Sequence, residues 1–336
     1  MKILQKFGIL TVLAVMITLS ACNMDSNYSS EFFCMDTPMS ITAYGSNSEN
    51  AVNEAKDKII ELDGLLAVDK KSSEVHILNR DKSLKGSKDI INLVTRSKEI
   101  SEQTKGAFDI TTSPLTELWG FRTYLQKKVP TENEINNALK SVSSNNIQIN
   151  NDKITLENNA SVDFGGIAKG YASGKVKEIF EKNNIQSGLI SLGGNVRAIG
   201  KKPDGSNWTV GIADPDNTTE QIGVLSVNDT AVITSGGYQR NFTEKGKTYH
   251  HIIDPKTGYP ADSGLKSVTV VSKDDTLADA LSTALFVMGL EKAVDFYKGS
   301  GLDFGAVFIT DNGEIYITDN LNNSFTAEKS FEVIAK

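Results

Sequence analysis

The chain has 336 residues, 39% of them apolar and 23% charged, with a formal net charge of −7. That composition is ordinary for a soluble globular protein and long enough for one large domain or two sharing a core. The acidic balance argues against nucleic acid as a partner, and two cysteines, Cys22 and Cys34, cannot build a disulfide framework.

The first elements lie at the N-terminus. Residues 1–6 carry two lysines, and residues 9–19 are apolar apart from Thr11 and Thr18. Such a run is short for a membrane span and has the charged start and small-residue end of a signal peptide over 1–21. Its close, Leu19-Ser20-Ala21-Cys22, resembles the bacterial lipobox, which implies cleavage before Cys22 and lipid on that cysteine. Residues 22–30 are mostly small and polar and read as a tether, with the folded domain expected over 31–336. Cys34, behind Phe32 and Phe33, reads as a small buried hydrophobe.

Residues 32–44 predict a strand or strand pair. Val52, Ala55, Ile59, Leu62 and Leu66 share a helical face over 51–66, and Ile90, Ile91, Val94 and Ile100 do so over 87–104. Thr131-Glu132-Asn133-Glu134 opens a capped helix through Leu139, and 147–156 reads as a hairpin about Asn150-Asn151-Asp152. Strands follow at 188–199, 208–212, 222–227, 231–234 and 268–271, with a hairpin over 241–253 and a helix over 276–288. The elements mix without a regular βαβ rhythm, and no repeat or linker interrupts them. The fold class predicted is α+β, with mixed sheets and packed helices in one compact unit.

Several segments carry candidate chemistry. Asp163-Phe164-Gly165-Gly166-Ile167-Ala168-Lys169-Gly170 spans the point where an extended pattern turns helical. Backbone N–H groups at a helix start, beside a lysine and glycines that let a ligand approach, form a general recipe for holding phosphate. The spacing fits neither a Walker A loop nor a Rossmann fingerprint. On the helix from Asp275, Leu277, Leu281, Leu285 and Met288 form an apolar stripe. Asp279 and Thr283 stand one turn apart on another face with Ser282 beside them, an oxygen set suited to Mg²⁺. In the 249–260 segment, His250, His251 and Asp254 precede a turn punctuated by Pro and Gly. With no thiolate and no HExxH, a histidine there reads as a general base or phosphate contact. Each segment taken alone is equally a tight turn, a solvated face or a strand-end histidine. Gly193-Gly194-Asn195 and Ser235-Gly236-Gly237-Tyr238 are glycine turns at strand ends.

Together and in this order these segments resemble the ApbE family of FAD:protein FMN transferases. The match also takes in Met35-Asp36-Thr37, Ser73-Glu74…Asn79, Phe108-Asp109-Ile110-Thr111 and Leu118-Trp119-Gly120-Phe121. The resemblance implies a T-fold-like unit that moves FMN from FAD to a Thr or Ser hydroxyl of an exported acceptor protein, with AMP released. By motif, Met35, Ala107, Phe108, Asp109, Asp163, Lys169 and Ile253 would line the FAD site. The Gly166 carbonyl, Asp279 and Thr283, with Ser282 nearby, would surround Mg²⁺, and His251 with Asp279 would be catalytic. The lipobox fits a membrane lipoprotein whose catalytic domain lies on the outer face of a bacterial membrane. Where many relatives carry an aromatic residue before the Ser-Glu pair, this chain has Val68-Asp69-Lys70-Lys71-Ser72. Two rival readings use the same residues: an FAD pyrophosphatase giving FMN and AMP, and a non-enzymatic FAD-binding lipoprotein.

Overall fold

A computed structural model describes residues 26–122 and 125–336. The expected signal peptide and the expected lipidation site Cys22 lie outside the described residues. The chain opens with a hairpin, β1 (Asn27–Cys34) and β2 (Thr37–Tyr44), closed by Met35 and Asp36. Both turn residues have positive φ, 49° and 59°. Such a turn suits the twist of a two-residue hairpin. The polar tether expected to reach Ser30 therefore ends earlier, because Asn27–Ser30 pair with residues 41–44. The alternation is hard to see in the sequence since Ser30 shares the inward-facing positions with Tyr28, Phe32 and Cys34. Cys34 is buried, as expected.

Helices α1 (Ser48–Leu66), α2 (Glu74–Asp81) and α3 (Lys88–Gln103) follow, with β3 (Ser83–Lys85) between the last two. Next come α4 (Ser113–Leu118) and α5 (Glu132–Leu139), then the hairpin β4 (Ile147–Asn150) and β5 (Lys153–Leu156). The capping box of α5 forms as the sequence predicts: Glu134 N–H donates to Thr131 Oγ1, and Glu134 Oε2 accepts from Thr131 N–H.

After α6 (Ala168–Lys182) the chain is rich in strands: β6 (Ser187–Leu192), β7 (Asn195–Gly200), β8 (Trp208–Ala213), β9 (Gln221–Val227), β10 (Thr230–Gly236), β11 (Asn241–Glu244), β12 (Lys247–His250) and β13 (Leu265–Ser272). The predicted strand over 188–199 is thus two strands, split at Gly193-Gly194, and the hairpin expected to run to Ile253 stops pairing at His250. Helix α7 (Asp275–Gly299) breaks at Gly289 (φ 75°, ψ 167°), where the predicted helix ends, and then resumes. Strands β14 (Gly305–Thr310), β15 (Ile315–Thr318), β16 (Phe325–Thr326) and β17 (Phe331–Ile334) complete the fold.

Nine strands form one sheet in the order β1-β2-β6-β7-β10-β13-β14-β15-β17, antiparallel except for β15 with β17. Helices α1, α6 and α7 cover one face, and the small sheet β16-β9-β8 covers the other. Successive residues therefore enter different cores. Ile233, Val270 and Phe308 pack under the helices, while Val232, Val271 and Val307 pack against Trp208, Ile212 and Leu225. The turns at Met35-Asp36 and Gly193-Gly194 and the end of β10 at Gly236 fall at one end of this sheet. That end positions the site.

Candidate active site

The Asp163 loop is fastened before it turns. Asn79 forms a reciprocal pair with Val162, its Nδ2 donating to the carbonyl (2.8 Å) and its Oδ1 accepting from the N–H (2.7 Å). Asp163 N–H donates to Ile110 O, and Asp163 Oδ1 accepts from Gly165 N–H at 2.8 Å. The loop delivers Gly166 to a point where a Cβ would lie 3.4 Å from Phe108 and 3.5 Å from Thr283 Oγ1. Phe108, Gly166 and Thr283 thus meet from three distant segments.

Helix α6 starts without a side-chain cap of its own. Its Gly170 N–H, one of the donors a helix start leaves unused, donates to Asp279 Oδ2 at 2.8 Å. Asp279 of α7 therefore caps α6 from a neighbouring helix. A side chain at position 170 would prevent this, since a Cβ there would lie 2.3 Å from Asp275 O and 2.6 Å from Asp279 Cβ.

Asp279 is only 4% exposed, and its Oδ1 accepts from Asn195 Nδ2 at 3.0 Å. Hydroxyls cluster beside it. Ser282 Oγ donates to Asp279 O and lies 2.8 Å from Ser235 Oγ, which is 3.2 Å from Thr283 Oγ1. Among the described residues no group of three or more His, Cys, Asp and Glu could hold a metal. One carboxylate with several hydroxyls does suit a hard divalent cation that draws its other ligands from phosphate and water, as Mg²⁺ commonly does.

His251 follows β12. Its N–H donates to Arg240 O (3.0 Å) and its Nδ1 lies 3.2 Å from the same oxygen. A carbonyl only accepts, so Nδ1 carries the hydrogen and Nε2 presents a lone pair. Desolvation first, and then the charge of Arg240 with a smaller push from Lys169, holds its pKa down to about 3. The charges of Arg240 and Lys169 thus both favour a neutral imidazole. His250 differs: its Nε2 donates to Ala261 O, its Nδ1 accepts from Ile252 N–H, and its ring meets Phe286 edge-on at 5.3 Å. Both nitrogens of His250 are occupied, so it is structural.

The loop after His251 is rigid. Asp254 Oδ1 accepts from Lys256 N–H, Ile253 pairs with Pro260, and Trp119 Nε1 donates to Gly258 O. The Ile253 side chain is buried in a cluster with Trp119, Phe121 and Leu115. Asp109 is spent on structure, with Oδ1 accepting from Thr111 N–H and Oγ1, and Oδ2 accepting from Ser144 N–H. Ala107 and Phe108 are buried beside it. Asp109, Pro255 and Lys256 border a cleft of about 700 Å³. Met35 N–H donates to Asp63 Oδ1. Gly166, Asp279, Ser282 and Thr283 therefore meet at one place, with Asp163 on the adjoining loop, Lys169 next to the Gly170 that Asp279 caps, and His251 near enough to feel the Lys169 charge. Asn195 and Ser235, which lie in the glycine turns that also carry the family resemblance, join this group through Asp279 and Ser282.

Residues 35–308 match the ApbE family. An FAD:protein FMN transferase of Haemophilus influenzae is 32% identical over 302 residues, covering 86% of both chains. One from Klebsiella pneumoniae is 30% identical over 91% of this chain and 97% of its own. Among solved structures, the ApbE protein of Thermotoga maritima superposes with a TM-score of 0.81 at 32% identity, over 86% of this chain and 96% of its own. The flavin transferase ApbE of Vibrio cholerae gives 0.78 at 26% identity, over 89% and 99%. With the family match spanning residues 35–308 and an α+β fold shared along nearly its whole described length, this chain belongs to the ApbE family.

Proposed function

We propose that the chain transfers FMN from FAD to a threonine or serine hydroxyl of an exported acceptor protein, releasing AMP, with Mg²⁺ at the Asp279 group. FMN transfer from FAD to protein follows from family membership. The finer chemistry is supported by His251, whose Nδ1 faces Arg240 O and leaves Nε2 unprotonated, and which feels the charge of Lys169, the neighbour of the Gly170 that Asp279 caps.

The residues divide the work. Lys169 receives negative charge from the diphosphate. Asp279, Ser282, Thr283 and the Gly166 carbonyl would hold Mg²⁺, which when bound neutralises charge on phosphoryl oxygens. His251 Nε2 takes the proton of the acceptor hydroxyl as its oxygen bonds to the FMN phosphorus. The bond from that phosphorus to the bridging oxygen breaks, and AMP leaves with the bridging oxygen. A diphosphate beside His251 also raises the imidazole's proton affinity from its low resting value, which favours this transfer. Through Cys22 the protein would stand on the outer face of a bacterial membrane.

The test is incubation with FAD, Mg²⁺ and a threonine-bearing acceptor. The expected result is a covalently fluorescent acceptor and AMP in equal amounts. AMP and free FMN without labelled acceptor would establish the pyrophosphatase instead, and FAD bound without turnover would establish a carrier.

A further inference from the structure

We propose that Asn195 is a positioning residue for this reaction, its side-chain amide fixing the Asp279 carboxylate for the cation. The proposal rests on the reading of Asp279 as a cation-facing group. The turn before Asn195 is rigid: Gly193 and Gly194 both have positive φ (59° and 92°), and Leu192 pairs with Asn195 across it. A Cβ on Gly193 would lie 2.7 Å from Thr37, and Gly193 N–H donates to Pro38 O, so the turn is seated on β2. From this base the 4% exposed Asn195 reaches Asp279 Oδ1 at 3.0 Å.

Capping α6 needs one acceptor oxygen, and Gly170 already takes Oδ2. The second donor does something else. With one oxygen held from a helix and the other from a sheet, the carboxylate plane cannot rotate, while each oxygen keeps a further lone-pair site.

The chemistry of the donor matters as much as its place. On β7, Asn195 and Arg197 are two residues apart on one face, and on α7, Asp275 and Asp279 are one turn apart. These spacings of roughly 6–7 Å match. Arg197 Nη1 pairs with Asp275 Oδ2 at 3.0 Å, whereas Asn195 pairs with Asp279. A guanidinium neutralises its carboxylate, but an amide orients one and leaves its negative charge for a cation.

The test is Mg²⁺ titration of the FAD-loaded protein by calorimetry, with kinetics on the same samples. Asn195→Ala is expected to weaken Mg²⁺ binding about tenfold. At saturating Mg²⁺ the KM for FAD should be unchanged. Asn195→Ser, which keeps a short donor, should lose less. A folded variant that binds Mg²⁺ as tightly as wild type overturns the proposal, whatever its activity. So does a pair of variants that both unfold, because Asn195 is then structural. Wild-type protein that takes up no Mg²⁺ with FAD would instead overturn the cation reading of Asp279.

Discussion

Two carboxylates one turn apart on α7 have opposite surroundings. Asp275 is saturated: Oδ2 accepts from Arg197 Nη1, and Oδ1 accepts from Ser173 Oγ at 2.6 Å. Arg197 is fully buried and also reaches Asp229 and Lys273 O. Asp279 is equally buried, yet only neutral donors touch it and hydroxyls gather nearby. The contrast teaches that burial and charge do not by themselves mark a working carboxylate. On the proposed reading of Asp279, what marks it is charge left uncompensated beside groups able to share a ligand.

Substitution can break this contrast. The largest effect belongs to Asp279→Asn, which keeps an acceptor for Gly170 N–H but removes the charge. Turnover should fall on the order of 10³-fold with the fold intact, measured as AMP release. Activity near wild type would remove Asp279 from the cation site. Asp275→Ala should do the reverse, costing about 3 kcal/mol by leaving Arg197 with poorer compensation. Its turnover per folded molecule should stay within a few-fold of wild type, checked by urea unfolding alongside kinetics.

The histidine pair sharpens the same point more gently. Burial holds His251 near pKa 3, against an ordinary value of 6.5. The unfolded chain therefore binds the proton more readily. The stability owed to a neutral His251 is complete above about pH 6.5 and declines as pH falls towards 3. Between pH 7.5 and 4.5, wild type should lose more stability than His251→Gln, since the carboxylates titrate alike in both. Equal losses would mean that His251 is well solvated.

Local signals were legible in the sequence, and long-range pairing was not. The α5 capping box, the β4–β5 hairpin and the end of helical pattern at Met288 each depend on residues within a few positions of one another. Asn195 and Asp279 are 84 residues apart, and nothing local announces their contact. Tyr249-His250-His251 offers two histidines of identical type, and only their partners show which keeps a free nitrogen. The sheet also hides its strands. Because both faces of β14 are covered, its residues lack the polar–apolar alternation of a half-exposed strand, and no strand after Gly289 is evident from the pattern.

The cap that Asp279 lends to α6 has an evolutionary and practical corollary. Active-site acids are commonly a burden on the native state, so that neutralising one yields a sturdier but inert protein. Here the carboxylate proposed to face the cation also caps the start of a helix, and exchanging Asp279 for alanine should soften the protein by about 1 kcal/mol as well as silence it. Thermal tolerance in this scaffold therefore has to be sought elsewhere, and an inactive decoy with native rigidity is better made at His251.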